Sequence, residues 1–142
     1  MSFTTIQLDH DLLKLYLNIY PEMIKNGSPD YNSINGIFGN QARWYGLKQN
    51  EKLLAFCTIG ILDDKVFLYN VGVDPNSRGR GFGSILLDCI VKKYGDKDIF
   101  LFVKKENRIA IKLYRKFNFE YIDNAFAPPI GELCFVRMKN II

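Results

Sequence analysis

The sequence is poor in the residues from which metal centres, disulfide scaffolds and membrane spans are built. Its 142 residues include one histidine and three cysteines. Cys57, Cys89 and Cys134 each sit in an apolar stretch with no Cys-x-x-Cys spacing. That pattern disfavours a zinc site and predicts reduced core thiols, as in a cytoplasmic protein. No segment approaches the roughly 18 consecutive apolar residues of a bilayer-spanning helix, so no membrane partner is expected. Met1-Ser2-Phe3-Thr4-Thr5 has neither the basic nor the apolar region of a signal peptide, and none is expected. Charge of one sign is also scarce. The net charge of +4 is too mild and too scattered to argue for nucleic acid, although it suits an anionic small molecule.

What is present is apolar. A hydrophobic share of 48% with 14% aromatics predicts one compact domain over residues 1–142 with a substantial core. Phe3, Ile6 and Leu8 alternate imperfectly with Thr4, Thr5 and Gln7, which reads as a first strand. Asp9 is a helix cap, and Leu12, Leu13, Tyr16, Leu17, Ile19 and Tyr20 form a helical stripe that Pro21 ends or kinks. His10 lies at the start of this helix, where a solvated residue is expected rather than a catalytic one. From Pro21 to Asn40 the pattern weakens. Gly27-Ser28-Pro29-Asp30 and Asn35-Gly36 are turn signals, short helical turns are expected near Met23 and from Ile34 to Phe38, and this segment is expected to face the substrate.

Three strands follow: Ala42 to Lys48, Leu53 to Leu62 and Val66 to Val73. Short turns join them into an antiparallel meander. The helix from Phe82 is expected to bury Phe82, Ile85, Leu86, Cys89 and Ile90 and to end at Tyr94-Gly95. Asp98 to Val103 is the next strand, parallel to Val66–Val73 through a right-handed crossover. A last helix from about Asn107 to Lys116 leads to strands at Phe119 to Ile122 and Leu133 to Met138. The predicted order is β-α-α-β-β-β-α-β-α-β-β: a mixed, mostly antiparallel seven-stranded α/β sheet with about four helices.

Chemistry concentrates where the strand ending at Val73 meets the helix starting at Phe82. Pro75 breaks the strand ladder. Gly79, Gly81 and Gly83 clear side chains from the turn into the helix, so a ligand can approach the main chain and the unpaired first N–H groups. With the positive helix end, Arg78 and Arg80 make this stretch an anion site, read as a pyrophosphate cradle. A P-loop would require Gly-Lys-Ser/Thr, which is absent. A dinucleotide fingerprint would place its third glycine at position 84, which is Ser, and would not carry Pro75 and the arginines before it.

Arg78-Gly79-Arg80-Gly81-Phe82-Gly83, preceded by Val73-Asp74-Pro75, closely resembles the acetyl-CoA loop of the GNAT N-acetyltransferases, Arg/Gln-x-x-Gly-x-Gly/Ala. A second stretch, Asn107-Arg108-Ile109-Ala110-Ile111-Lys112-Leu113-Tyr114 with Phe119 beyond, resembles the family pattern Asn-x-x-Ala-x-x-Leu-Tyr followed by Gly-Phe. Asn107, Ala110 and Tyr114 also share one helix face by spacing alone. The resemblance runs from about Leu53 to Phe119. It departs from the family pattern at Asn118, which stands where the family has glycine and can take the same left-handed backbone.

The resemblance implies a GNAT-like domain in which the strands Val66–Val73 and Asp98–Val103 splay apart. It implies acetyl-CoA as co-substrate and an amine as acceptor, with direct attack in a ternary complex. Val71, Gly72 and Val73 match the positions that bind the pantetheine arm through the backbone. Arg78, Gly79, Arg80, Gly81, Phe82 and Gly83 match the pyrophosphate loop. Asn107 matches a pantetheine contact, and Tyr114 a cofactor contact and the proton donor to the departing thiolate. Homodimers are common in the family. The glutamate that often serves there as general base has no counterpart on either strand, where only Tyr69 and Asn70 are polar near the splay. That gap keeps a second reading open, a non-catalytic acyl-CoA sensor on the same fold. A nicotinamide-dependent enzyme is disfavoured by the glycine spacing.

Overall fold

The computed structural model describes residues 1–7, 9–30, 43–123 and 128–140. The turn expected at Asn35-Gly36 and the helical turn expected from Ile34 to Phe38 lie outside the described residues, as do Leu8 and Ala42 of the expected strands. The described strands are β1 (Ser2–Ile6), β2 (Ile24–Lys25), β3 (Ser28–Pro29), β4 (Arg43–Gln49), β5 (Lys52–Leu62), β6 (Lys65–Val73), β7 (Asp98–Lys104), β8 (Glu120–Tyr121) and β9 (Glu132–Arg137). The described α-helices are α1 (His10–Ile19), α2 (Phe82–Tyr94) and α3 (Arg108–Lys116), with 3₁₀ turns at Pro21–Met23 and Pro75–Ser77.

Seven strands form one sheet in the order β1-β4-β5-β6-β7-β9-β8, and β2 pairs with β3 as a separate small hairpin. All neighbours in the large sheet are antiparallel except β6 and β7. The predicted seven-stranded α/β sheet with one parallel pair is therefore present. The β2–β3 hairpin was not foreseen: the turn expected at Gly27-Ser28-Pro29-Asp30 lies at Asn26-Gly27, and Ser28–Pro29 form β3. The strand expected from Phe119 to Ile122 shortens to two residues, since Phe119 is taken up by the end of α3.

Local signals explain the helix ends. Asp9 accepts the Leu12 N–H at 2.9 Å, and Pro21 stops α1 one residue after Tyr20. At the end of α3, Phe119 donates its N–H to the Tyr114 carbonyl and Asn118 donates to Arg115, both at 3.1 Å. Asn118 has φ +67°, so the helix ends in a left-handed residue with asparagine in glycine's place.

The sheet carries two larger apolar clusters, beside a smaller one of Phe67, Phe100, Cys134 and Val136. On one face α2 and α3 cover Tyr45, Cys57, Ile59, Leu101 and Phe135. On the other, α1 brings Leu12, Leu15 and Tyr16 onto Trp44 and Phe56. The expected buried face fails at two positions. Ile85 is 40% exposed and Cys89 only half-buried, while Leu87 is buried. The buried stripe runs Phe82, Leu86, Ile90 and Tyr94, four residues apart, with Leu87 beside it. The helix is therefore rotated from the face inferred by counting apolar residues.

Candidate functional site

The site begins with an interruption in the sheet. β6 pairs with β7 only from Lys65–Asp98 to Leu68–Leu101, although β6 runs on to Val73 and β7 to Lys104. The cause lies on the other side of β6. Its pairing with β5 steps from Tyr69 opposite Thr58 to Gly72 opposite Phe56, so Asn70 and Val71 together face Cys57. Asn70 takes φ +49°, a conformation asparagine tolerates better than most residues. Such a bulge bends its strand and raises the local twist, which carries Tyr69 to Val73 away from β7. The expected splay is thus built by one extra residue in β6.

The glycine-rich loop closes one end of this opening. Asp74 is buried, accepts the Asn76 N–H at 3.2 Å, and lies 3.5 Å from the Lys52 ammonium. Its own N–H bonds the Leu54 carbonyl at 2.8 Å, so the start of the loop is anchored to β5. Gly79 and Gly81 have φ +82° and +81°, a region that side-chain-bearing residues enter at a cost of about 1 kcal/mol. A Cβ on either would meet nothing within 4 Å. Gly81 is the N-cap of α2 and supplies no side chain to its first amides. Buried Phe82 pins the helix start, while Arg78 and Arg80 remain exposed. The loop thus combines uncapped amides, open space and positive charge, the ingredients of an anion cradle.

At Gly81 and Gly83 a side chain was expected to meet the pyrophosphate or the helix entry. Within the protein itself, a Cβ on Gly83 would touch Leu113 Cδ2 at 3.5 Å and Val73 Cγ2 at 3.7 Å, ordinary contacts, and a Cβ on Gly81 would meet nothing within 4 Å. Gly83, Val73 and Leu113 of α3 therefore converge beside the splay. Gly72 is the crowded position. A Cβ there would lie 2.8 Å from Phe56 Cε1 and 2.9 Å from Ile19 Cδ1. The last turn of α1 is seated on the splayed end of β6, and only glycine permits it. Val71 and Val73, half-buried, pack against the core on the opposite face.

Asn107 caps α3, its Oδ1 accepting the Ala110 N–H at 3.2 Å. The cap spends the carbonyl oxygen and leaves the amide NH₂ to donate. Tyr114 follows seven residues later, about 10 Å along the helix axis. It is buried, with its ring centroid 5.8 Å from that of Phe119. Burial pushes its phenol well above the usual tyrosine range, and Tyr20 and Cys57 add to the shift. Cys57 belongs to the same core as Tyr114, whereas Tyr20 packs with the α1 cluster on the other face of the sheet. Among the described residues no group of three or more His, Cys, Asp or Glu side chains could hold a metal ion, and no helix is long and apolar enough to cross a membrane.

Known proteins resemble this chain in sequence and in fold. The family model "Acetyltransferase (GNAT) family" matches residues 10–119. The [ribosomal protein bS18]-alanine N-acetyltransferase of Escherichia coli K12 is 33% identical over 78 residues, 53% of this chain and 53% of that protein. Mycothiol acetyltransferase of Mycolicibacterium vanbaalenii is 34% identical over 68 residues, 42% of this chain and 23% of that one. The matched part thus spans about half the length of the alanine N-acetyltransferase. Among solved structures, the Escherichia coli ribosomal-protein-S18-alanine N-acetyltransferase has a TM-score of 0.69 at 22% identity, covering 95% of this chain and 91% of that one. The PaiA N-acetyltransferase of Thermoplasma acidophilum, in complex with coenzyme A, has a TM-score of 0.66 at 16% identity, covering 97% and 99%. At these identities the structures show the fold alone. With the family match over most of the chain, the interrupted parallel pair and the glycine-rich loop at its end, the chain belongs to the GNAT acetyltransferase family.

Proposed function

We propose that this protein is an N-acetyltransferase that moves the acetyl group of acetyl-CoA to a primary amine by direct attack in a ternary complex. The observation that carries this reading is the junction of three elements at the splay: the end of β6, the uncapped start of α2, and α3 with Tyr114.

The cofactor's pyrophosphate takes the amides from Gly79 to Gly83, with Arg78 and Arg80 supplying charge and Phe82 holding the helix start. The pantetheine arm runs along Val71, Gly72 and Val73, whose edge toward β7 lies beyond the β6–β7 ladder, and the Asn107 amide donates to it. A β6 N–H polarises the thioester carbonyl as charge develops on its oxygen. Holding amine and thioester together supplies much of the rate. Tyr114 gives its proton to the departing thiolate. A phenol is protonated at neutral pH, and burial, which raises its pKa further, makes it a weaker acid, so the transfer depends on a direct hydrogen bond to the thiolate sulfur.

The names of the alanine N-acetyltransferase relatives point first to a peptide α-amine as acceptor. Thiol release from acetyl-CoA is to be followed with an N-terminal alanine peptide, a lysine peptide and small amines. Amine-dependent release, with acetylated product seen by mass spectrometry, is expected. Tight acetyl-CoA binding with no release on any amine would make the protein a sensor instead.

A further inference from the structure

An acceptor must reach the opening between β6 and β7 from one side of the sheet. The side carrying α2 and α3 is filled, because Leu68, Leu101, Val103 and Tyr114 are buried there in one core. The amine therefore enters from the opposite face. Side chains alternate along a strand, so that face is formed by Phe67 and Tyr69 on β6, Phe100 and Phe102 on β7, and Cys134 and Val136 on β9. Phe67, Phe100, Cys134 and Val136 are buried together, with Phe102 and Ile122 packed against them. The β6–β7 ladder ends at Leu68–Leu101. Tyr69 and Phe102 are thus the first residues past it, one on each lip of the opening.

The rings on this face form a row. Phe67 lies 5.5 Å from Phe100 at 26°, and 6.2 Å from Tyr69 at 14°. Gly60, opposite Phe67 in the β5–β6 register, makes room for Tyr69. A Cβ there would lie 3.1 Å from Tyr69 Cε2, so the ring leans back over β5 and stands beside the opening, not across it. Tyr69 is 37% exposed and Phe102 is half-buried, so both lips offer aromatic surface to a ligand. Charge stands at the two ends of the row. Lys65 is opposite Asp98 at the start of the ladder, and Lys104 is opposite Glu132 beyond Phe102.

We propose that Tyr69 and Phe102 form the acceptor clamp, and that it selects amines carrying an aromatic or branched apolar group within a few bonds of the nitrogen. The position of the thioester argues for this occupant. With the pyrophosphate at Gly79 to Gly83 and the arm along Val73, Gly72 and Val71, the acetyl end comes nearest the end of the ladder, between the two lips. An apolar group seated there leaves water, and offset ring contacts add to the gain. An acidic group would lose its hydration over uncharged rings. Nucleophile and leaving group are then served from opposite faces. The amine comes over Tyr69 and Phe102, while Tyr114, which protonates the thiolate, stands in the core under α2 and α3.

The proposal rests on the acetyltransferase reading, and the test separates the two. Turnover of acetyl-CoA is measured with dipeptide amides that begin with alanine and carry Phe, Leu, Gly, Asp or Lys second, and with phenethylamine against ethanolamine. Without turnover on any amine the acetyltransferase reading fails, and the clamp falls with it. Given turnover, kcat/KM should be about tenfold or more higher for the Phe and Leu peptides than for the Gly and Asp peptides, and for phenethylamine than for ethanolamine. Equal values across each series, or a best peptide with Lys second, would overturn apolar selection. Tyr69→Ala and Phe102→Ala should each remove most of the preference with acetyl-CoA affinity unchanged, and Tyr69→Phe, which keeps the ring, should retain it. Full preference in both folded alanine variants would place the selection elsewhere and overturn the clamp.

Discussion

Thr58 stands directly opposite Tyr69 in the β5–β6 register, and its buried hydroxyl has no hydrogen-bond partner among the described residues. Trp44 flanks it from β4. A buried hydroxyl without a partner loses its water and gains nothing in return, at a cost of about 1–3 kcal/mol. Thr58→Val removes the hydroxyl and keeps the branched shape. It should stabilise the protein by about 1 kcal/mol, or about 3 °C in Tm. A lower melting temperature would show that the hydroxyl is satisfied in solution.

Gly81 and Gly83 separate folding from binding. Gly83→Ala adds a methyl group at ordinary contact distance inside α2, where alanine is the better helix former by about 0.5–1 kcal/mol. That variant should fold with equal or greater stability and still lose acetyl-CoA affinity. Gly81→Val places a branched side chain at φ +81°, directly in the cradle. It should weaken acetyl-CoA binding more than tenfold, about 1.4 kcal/mol, as read by calorimetry. Unchanged affinity in both folded variants would remove the loop from the cofactor site.

Arg78 and Arg80 are exposed, so their contribution should be screened by salt. Replacing both with Gln should raise the KM for acetyl-CoA, and raise it more at 20 mM than at 500 mM salt. A penalty independent of salt would assign them a structural role.

Tyr114→Phe removes the proton donor and keeps the ring against Phe119. The single-turnover rate should fall about 100-fold, with acetyl-CoA affinity nearly unchanged. A normal single-turnover rate would hand the thiolate proton to water or another residue.

The buried phenols also set an alkaline limit to stability. Burial leads the upward shifts of Tyr20 and Tyr94, both to about 12, and that of Tyr114. In the unfolded chain these phenols ionise near pH 10, so above that pH the folded state binds more protons than the unfolded one. Stability therefore falls as pH rises. The urea midpoint should hold below pH 10 as far as these groups are concerned and drop between pH 10 and 12. Tyr20→Phe should make the drop shallower; an unchanged slope would place the alkaline loss elsewhere.

Short-range chemistry made much of this molecule legible in its sequence. The cap at Asp9, the left-handed turn at Asn118, the break at Pro75 and the glycine-rich loop each depend on a few neighbouring residues, and each is where it was expected. The antiparallel meander and the parallel β6–β7 pair were also foreseen, but finer readings that depended on distant partners failed or were absent. The outward turn of Ile85 reflects how α2 lies on the sheet, which residue spacing within α2 cannot fix. The bulge at Asn70 needed the β5 register, and the crowding at Gly72 needed α1 to be docked. The solitary hydroxyl of Thr58 is an ordinary residue in an ordinary strand until its surroundings are known.

The short β6–β7 ladder has a mechanical consequence. Four residue pairs join a sheet half carrying β1, β4, β5 and β6 to one carrying β7, β9 and β8. An extended ligand lying beyond Leu68 and Leu101, bonded on one flank to the main chain of β6, would act as a spliced-in strand and stiffen the seam. Amide exchange at Tyr69–Val73 should then slow when acetyl-CoA is added, and the two halves should melt as one unit at a higher temperature. The donor would be not only a reactant but, while bound, a piece of the architecture.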